Sequence, residues 1–345
     1  MGLHRRFVYV ALILLIAALL AWRNLQEPSQ EMASLGGGTM GTTYSITVPL
    51  NHAGAPLADA IEQRLDEIDR IFSTWRDDSD ISRFNASRST DWFASPEELA
   101  SVVAESIRIH ELTGGAFDIT LGPVIERWGF GREDVTTPPS DEELAVLMAS
   151  VGTRFLDSRA SPPAIRKQRP DIAINLSGIA KGWAVDAIAM LLMEKGIEHF
   201  MVEIGGEVRT RGGNGGKPWR IAIARPQPGE PQAQTLLEIG TAAIATSGGY
   251  HNSIELLEQQ YIHIIDPARG RPVKSQTASV TVIDEASTMT ADALATALIV
   301  MPAENAMRFA DSNGIAAHIM LLDEDGRLTA RSSQAFLAYL EREWQ

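Results

Sequence analysis

Sixteen consecutive apolar side chains, Phe7 to Trp22, follow Arg5 and Arg6 and differ in kind from everything after them. A basic flank before such a run is the pattern of an export segment, and the run is only slightly shorter than a spanning helix needs. Trp22 suits the membrane interface and flanking residues can snorkel, so spanning is feasible. The run leaves through Leu20, Ala21, Trp22, Arg23 and Asn24 without a small-x-small cleavage site. An uncleaved signal anchor over residues 1–23 is therefore expected, with Arg5 and Arg6 cytoplasmic and the remainder exported. A buried core helix at the N-terminus is the competing expectation.

Residues 24–38 carry Pro28 and three successive glycines without a hydrophobic period, which predicts a linker between the membrane and a folded body over 39–345. With 345 residues, 45% of them hydrophobic and 21% charged, the body can bury a large core as one domain or two packed lobes. A net charge of −14 argues against a surface built to track nucleic-acid phosphates, and no nucleic-acid partner is expected. Cysteine is absent, which removes disulfides, thiolate nucleophiles, zinc-thiolate sites and iron–sulfur clusters. Any metal must sit on oxygen or imidazole ligands.

Tyr44, Ile46 and Val48 alternate as in a half-buried strand, and Ile61, Leu65, Ile68 and Phe72 share one helical face. Ser95, Pro96 and Glu98 predict a capped helix that Gly114 and Gly115 terminate, and Ser140 caps a short helix after Pro138 and Pro139. A strand over Ile172–Leu176, a helix over Lys181–Lys195 and a strand over Phe200–Ile204 follow. Further strands are expected over Trp219–Ala224, Leu236–Ile239, Tyr261–Ile265 and Ala278–Ile283. An apolar helix over Thr290–Val300 and a hairpin over Ile315–Leu322 and Leu328–Arg331 complete the pattern. This order predicts an α+β fold with mixed, mostly antiparallel sheets and packed helices, and two similar lobes meeting at a cleft are compatible with it.

Four segments can carry chemistry. The turn Asn175-Leu176-Ser177-Gly178-Ile179-Ala180-Lys181-Gly182 would aim backbone N–H groups and an ammonium at an anion, although an ordinary strand-to-helix connection looks the same. Asp292 and Thr296 lie one helical turn apart, a spacing that suits two oxygen ligands of Mg²⁺ but also a solvated Asp and a Thr bonded to its own helix. His263, between strand-forming residues and the turn at Pro267, can act as a general base or as a hydrogen-bonded structural residue. Trp75 and the run Gly114-Gly115-Ala116-Phe117-Asp118 offer stacking faces for a planar ligand, or core anchors.

The ordered strings GTMGTTYSI, FSTWRDDSDISRFN, GGAFDITLGP, NLSGIAKGWAVD, VEIGGEVR, AIATSGGY, HIIDPARGRPV and TMTADALATAL are together similar to the ApbE family of FAD:protein FMN transferases, over roughly Gly38 to Met301. The resemblance implies an ApbE-like, T-fold-related body. It implies an FAD site of Met40, Trp75, Ala116, Phe117, Asp118, Asn175, Lys181 and Ile265, and a Mg²⁺ site of the Gly178 carbonyl, Asp292 and Thr296. It also implies proton transfer at His263 and charge neutralisation by Lys181. FAD would be the substrate, and the acceptor a Thr or Ser hydroxyl of an exported subunit of a membrane redox complex, on the periplasmic side of the inner membrane. Asn175 and Gly249 stand where many relatives carry Asp, so altered FAD affinity is expected. FAD hydrolysis to FMN and AMP, or FAD binding without turnover, are the alternatives that the same residues allow.

Overall fold

The computed structural model describes residues 30–227, 232–249, 253–323 and 325–340. The anchor expected over residues 1–23 lies outside them, and no helix among the described residues is long and apolar enough to cross a membrane. Among the described residues, eight strands form the central sheet: β1 (Met32–Thr39), β2 (Thr42–Pro49), β3 (Phe200–Ile204), β4 (Glu207–Arg211), β5 (Ala242–Gly248), β6 (Thr277–Asp284), β7 (Ala316–Leu322) and β8 (Leu328–Ser332). Their order across the sheet is their order along the chain, and every neighbouring pair is antiparallel. The antiparallel α+β expectation holds. The two halves of the chain are not separate lobes, because β4 and β5 pair Thr210 with Ala242 and Val208 with Ile244 and so join them in one sheet.

Both faces of the sheet are covered, and the period-two alternation of strand side chains separates the two layers. Val202, Ile204, Ala245, Val280, Val282, Ala317 and Ile319 face the larger core. Their neighbours Ile244, Ile283, Ala316 and Met320 face a second cluster with Trp219, Leu237 and Phe336. On the larger side lie α1 (Ala55–Phe72), α2 (Glu97–Leu112), α3 (Ala180–Glu194), α4 (Thr288–Val300) and α5 (Ala303–Ser312). A short helix, α6 (Gln334–Leu340), and the hairpin Trp219–Ala224/Ala233–Ile239 cover the other face. Helices α3 and α4 are apolar on nearly every side, as befits helices packed both on a sheet and beneath other helices. They pack against each other, with α1 over α3 and α2 over α4.

Several local expectations are corrected. Residues 32–38 of the expected linker are not a linker but most of β1, which pairs along its length with β2. Glycine makes this possible, since a Cβ on Gly37 would meet the Tyr44 ring at 2.7–3.0 Å. The α2 helix starts at Glu97 with Pro96 as its cap residue and without a side-chain cap, so the box expected from Ser95 does not form. Among the described residues, Ile172–Leu176 pairs with no strand. It is held in extended form instead by Asn85, whose side-chain amide exchanges two 2.8 Å bonds with the Ile174 backbone, and by the Asn175 N–H to the Ile119 carbonyl at 2.7 Å. The expected strand Tyr261–Ile265 breaks at His263 into two short ladders, Ser253–Leu256/Gln259–Ile262 and Ile265–Asp266/Arg271–Pro272.

Candidate active site

Helix α3 begins without a side-chain cap of its own. The Gly182 N–H in its first turn is instead satisfied by Asp292 Oδ2 of α4, at 3.0 Å. The helices approach this closely because residue 182 is glycine. A Cβ there would overlap the Thr288 carbonyl oxygen and stand 2.8 Å from Asp292 Cβ. One turn further along α4, the Thr296 hydroxyl lies 3.4 Å from the Gly178 carbonyl oxygen and 3.2 Å from the Ser247 hydroxyl of β5. Gly178 is constrained in the same way, since its Cβ would meet the Thr296 side chain at 3.0 Å and the Phe117 ring at 3.4 Å. Phe117, Gly178, Lys181, Asp292 and Thr296 thus gather around the start of α3.

Lys181 Nζ lies 2.5 Å from Glu207 Oε1 at the start of β4, where Glu207 is 1% exposed. Burial alone would lower the lysine, but the carboxylates of Glu207 and Asp292 outweigh it and hold the ammonium protonated above its ordinary range. Burial pushes Glu207 up to about 8 despite Lys181 and raises Asp292 as well. Two buried carboxylates share one ammonium, and Glu207 Oε2 has no hydrogen-bond partner among the described residues. With both carboxylates ionised the cluster would carry one negative charge more than Lys181 offsets, so a second cation would favour their ionised forms. Its remaining donors, a carbonyl and hydroxyls, are the hard oxygens that Mg²⁺ takes, and such an ion keeps positions open for phosphate oxygens. The residues present fit that group.

The other residues expected from the sequence are distributed around this centre. Met40 occupies the β1–β2 turn with φ of +47°. A Cβ on Gly205 in the β3–β4 turn would meet Thr42 at 2.8 Å and Lys181 Cδ at 3.3 Å, which brings the two turns and the lysine together. Trp75 is 67% exposed and leaves a large aromatic face open to solvent. Asp118 is engaged inside the protein, accepting from Thr120 N and Oγ1 at 2.8 and 2.5 Å and from Thr153 Oγ1 and N at 2.8 and 3.1 Å. Its carboxylate shapes the loop after α2, and His110 secures that loop through its Nδ1 contact with the Phe117 carbonyl at 2.8 Å. Asn175 Oδ1 accepts from Ser177 N at 2.9 Å.

Asp118 lines a cleft of about 580 Å³ with Gly114, Gly115, Arg154 and Ala268. Asn175 lines another of about 330 Å³ with Thr74, Asn85 and Arg132. Ile265 is buried in its short ladder. His263 sits half-buried at the bend before it, its ring 6.4 Å from that of Phe130 and edge-on to it. The sequence reading does not single out Glu207 or Ser247. The first carried a signal, a carboxylate directly after the Gly205-Gly206 turn and beside inward-facing strand residues.

The model of the ApbE family matches residues 40–319. The FAD:protein FMN transferase of Vibrio cholerae serotype O1 (strain ATCC 39541 / Classical Ogawa 395 / O395) is 42% identical over 95% of this chain and 98% of its own. That of Escherichia coli (strain K12) is 36% identical over 91% and 90%. Among solved structures, flavin transferase ApbE from Vibrio cholerae superposes with a TM-score of 0.80 at 41% identity, covering 90% of this chain and 99% of that one. The apo form of Pseudomonas stutzeri flavinyl transferase ApbE gives 0.80 at 32% identity, covering 90% and 98%. The chain belongs to the ApbE family.

Proposed function

We propose that this chain transfers FMN from FAD to a Thr or Ser hydroxyl of an acceptor protein and releases AMP. The observation that carries the reading is the convergence of Lys181, Asp292, Thr296 and the Gly178 carbonyl at the start of α3, in a family whose named relatives are FAD:protein FMN transferases. The N-terminus of α3 and the Lys181 ammonium suit the diphosphate bridge of a dinucleotide, and the exposed Trp75 face suits a planar ring.

Gly178 O, Asp292 and Thr296 would hold Mg²⁺, which when bound supplies charge neutralisation at the pyrophosphate. Lys181 holds a phosphate oxygen and stabilises the charge that develops there. His263 accepts the proton of the acceptor hydroxyl as its oxygen attacks the FMN-side phosphorus. The phosphoanhydride bond breaks and AMP carries away the bridging oxygen. Asn175, neutral where the family resemblance implies an acid, binds the flavin nucleotide by hydrogen bonds without adding charge.

The apolar run after Arg5 and Arg6 supports an anchor that leaves the body on the periplasmic side of the inner membrane, where the acceptor is a subunit of a membrane redox complex. Incubation with FAD, Mg²⁺ and such an acceptor, followed by intact mass, tests the reaction. An FMN-sized increase on the acceptor supports transfer, free FMN alone would replace it with hydrolysis, and unchanged FAD would replace it with binding. Asp292→Ala is expected to abolish both reactions.

A further inference from the structure

The mechanism leaves one ordered carboxylate of α3 unused. Asp186 Oδ1 accepts the Thr288 N–H at 3.0 Å, and Oδ2 accepts the Met289 N–H at 3.0 Å and the Ser287 hydroxyl at 3.1 Å. The Ser287 hydroxyl in turn accepts the Thr290 N–H at 3.1 Å. The open N–H groups of a helix start are therefore satisfied here largely by a carboxylate from a different helix. The exchange is reciprocal, since Asp292 of α4 accepts the Gly182 N–H of α3 at 3.0 Å. Arg209 of β4 approaches Asp186 to 4.0 Å.

We infer that Asp186 is a positioning residue that sets where α4 starts along α3, and thereby the approach of Thr296 to the Gly178 carbonyl on which divalent-cation affinity depends. The inference rests on the proposed function for the identity of the ligand. A cap made by a neighbouring residue in the chain stabilises one helix. A cap reached from another helix also ties the two together, and here one helix carries Asp292 and Thr296 while the other follows directly on the turn that holds Gly178. Without it the Thr288 and Met289 N–H groups turn to water and the first turn of α4 is released. Asp292 and Thr296 lie within the turns that follow. Groups that orient ligands without touching the metal typically account for about 10- to 100-fold in metal affinity.

Titration of the full chain with Mg²⁺ in the presence of FAD tests this with two readouts: the rise in melting temperature and the FMN-transfer rate. Asp186→Ala is expected to raise the half-saturating Mg²⁺ about tenfold or more in both, with a smaller loss of kcat at saturating Mg²⁺. Asp186→Asn, which retains one acceptor oxygen, is expected to fall between, and it decides the matter if the alanine variant does not fold. Ser333→Ala removes a cap on α6, on the opposite face of the sheet, and is expected to lower the melting temperature without moving the half-saturation. A folded Asp186→Ala or Asp186→Asn chain with wild-type half-saturation overturns the inference. A wild-type chain indifferent to Mg²⁺ overturns the cation reading beneath it.

Discussion

Lys181 Nζ meets Glu207 Oε1 at 2.5 Å across the β3–β4 turn, and it is the ammonium that opposes both Glu207 and Asp292. Removing the cation leaves buried carboxylates uncompensated, a change that costs about 3–5 kcal/mol when neither can adapt. Glu207 is already raised to about 8 and can take up a proton. Lys181→Met is therefore expected to lose about 2 kcal/mol, less than that range, and all FMN transfer. Adding Glu207→Gln should restore most of the stability and none of the transfer. Urea unfolding of the two variants and the double mutant at neutral pH measures the coupling.

Gly182 lets α3 and α4 approach closely at the first turn of α3. In Gly182→Ala the new methyl group meets the Thr288 carbonyl and Asp292 Cβ, so the helices must separate. Overpacking of this kind costs about 1–3 kcal/mol. The separation also draws Asp292 away from α3, so transfer should fall by more than the stability loss explains. Equal losses in thermal melts and in transfer by the remaining folded fraction would contradict this.

Asn85 stands in for a strand next to Ile174, one residue before Asn175. Lys167, 1% exposed, donates to the carbonyls of Phe84, Asn85 and Ile172 at 3.1, 3.3 and 2.9 Å and steadies the same segment. Asn85→Ala leaves two backbone groups of Ile174 unpaired and is expected to lose about 2–3 kcal/mol. The KM for FAD should rise while kcat changes little, since Asn175 is displaced and Lys181 is not. Steady-state kinetics at saturating acceptor separates the two.

His318 of β7 is buried, with Nδ1 at 2.8 Å from the Ser332 hydroxyl, its ring stacked on Phe336 at 5.0 Å and Nε2 without a hydrogen-bond partner among the described residues. Burial lowers its folded pKa below 6.5. The unfolded chain thus binds the proton first as pH falls, so the neutral imidazole contributes stability above about 6.5 that is lost on acidification. The melting temperature should drop between pH 7.5 and 5.5, and His318→Leu should flatten part of that drop. An unchanged slope in the variant would exclude this origin.

What could be foreseen from the residues depended on whether a partner was local. The amphipathic face of α1, the short helix capped by Ser140 and the strand Phe200–Ile204 follow from periodicity and caps within their own segments. The glycines of β1 carry no pattern, so only the Tyr44 ring lying across them reveals a strand. Ile172–Leu176 has strand composition but finds a side chain where a strand would be. Within the site, the Asp292–Thr296 spacing was legible on one helix. The reciprocal carboxylates of α3 and α4 and the Lys181–Glu207 pair were not, because each joins residues that only folding brings together.

Neighbours in the sheet are neighbours along the chain, yet about 150 residues intervene between β2 and β3. During synthesis the hairpin of β1 and β2 emerges roughly eight to thirty seconds before the strand that completes its inner edge. Through that interval a row of open backbone groups beside Tyr44, Ile46 and Val48 is a template for mispairing. The newborn chain therefore needs its longest protection at its oldest end, well before any of the chemistry at α3 and α4 can assemble.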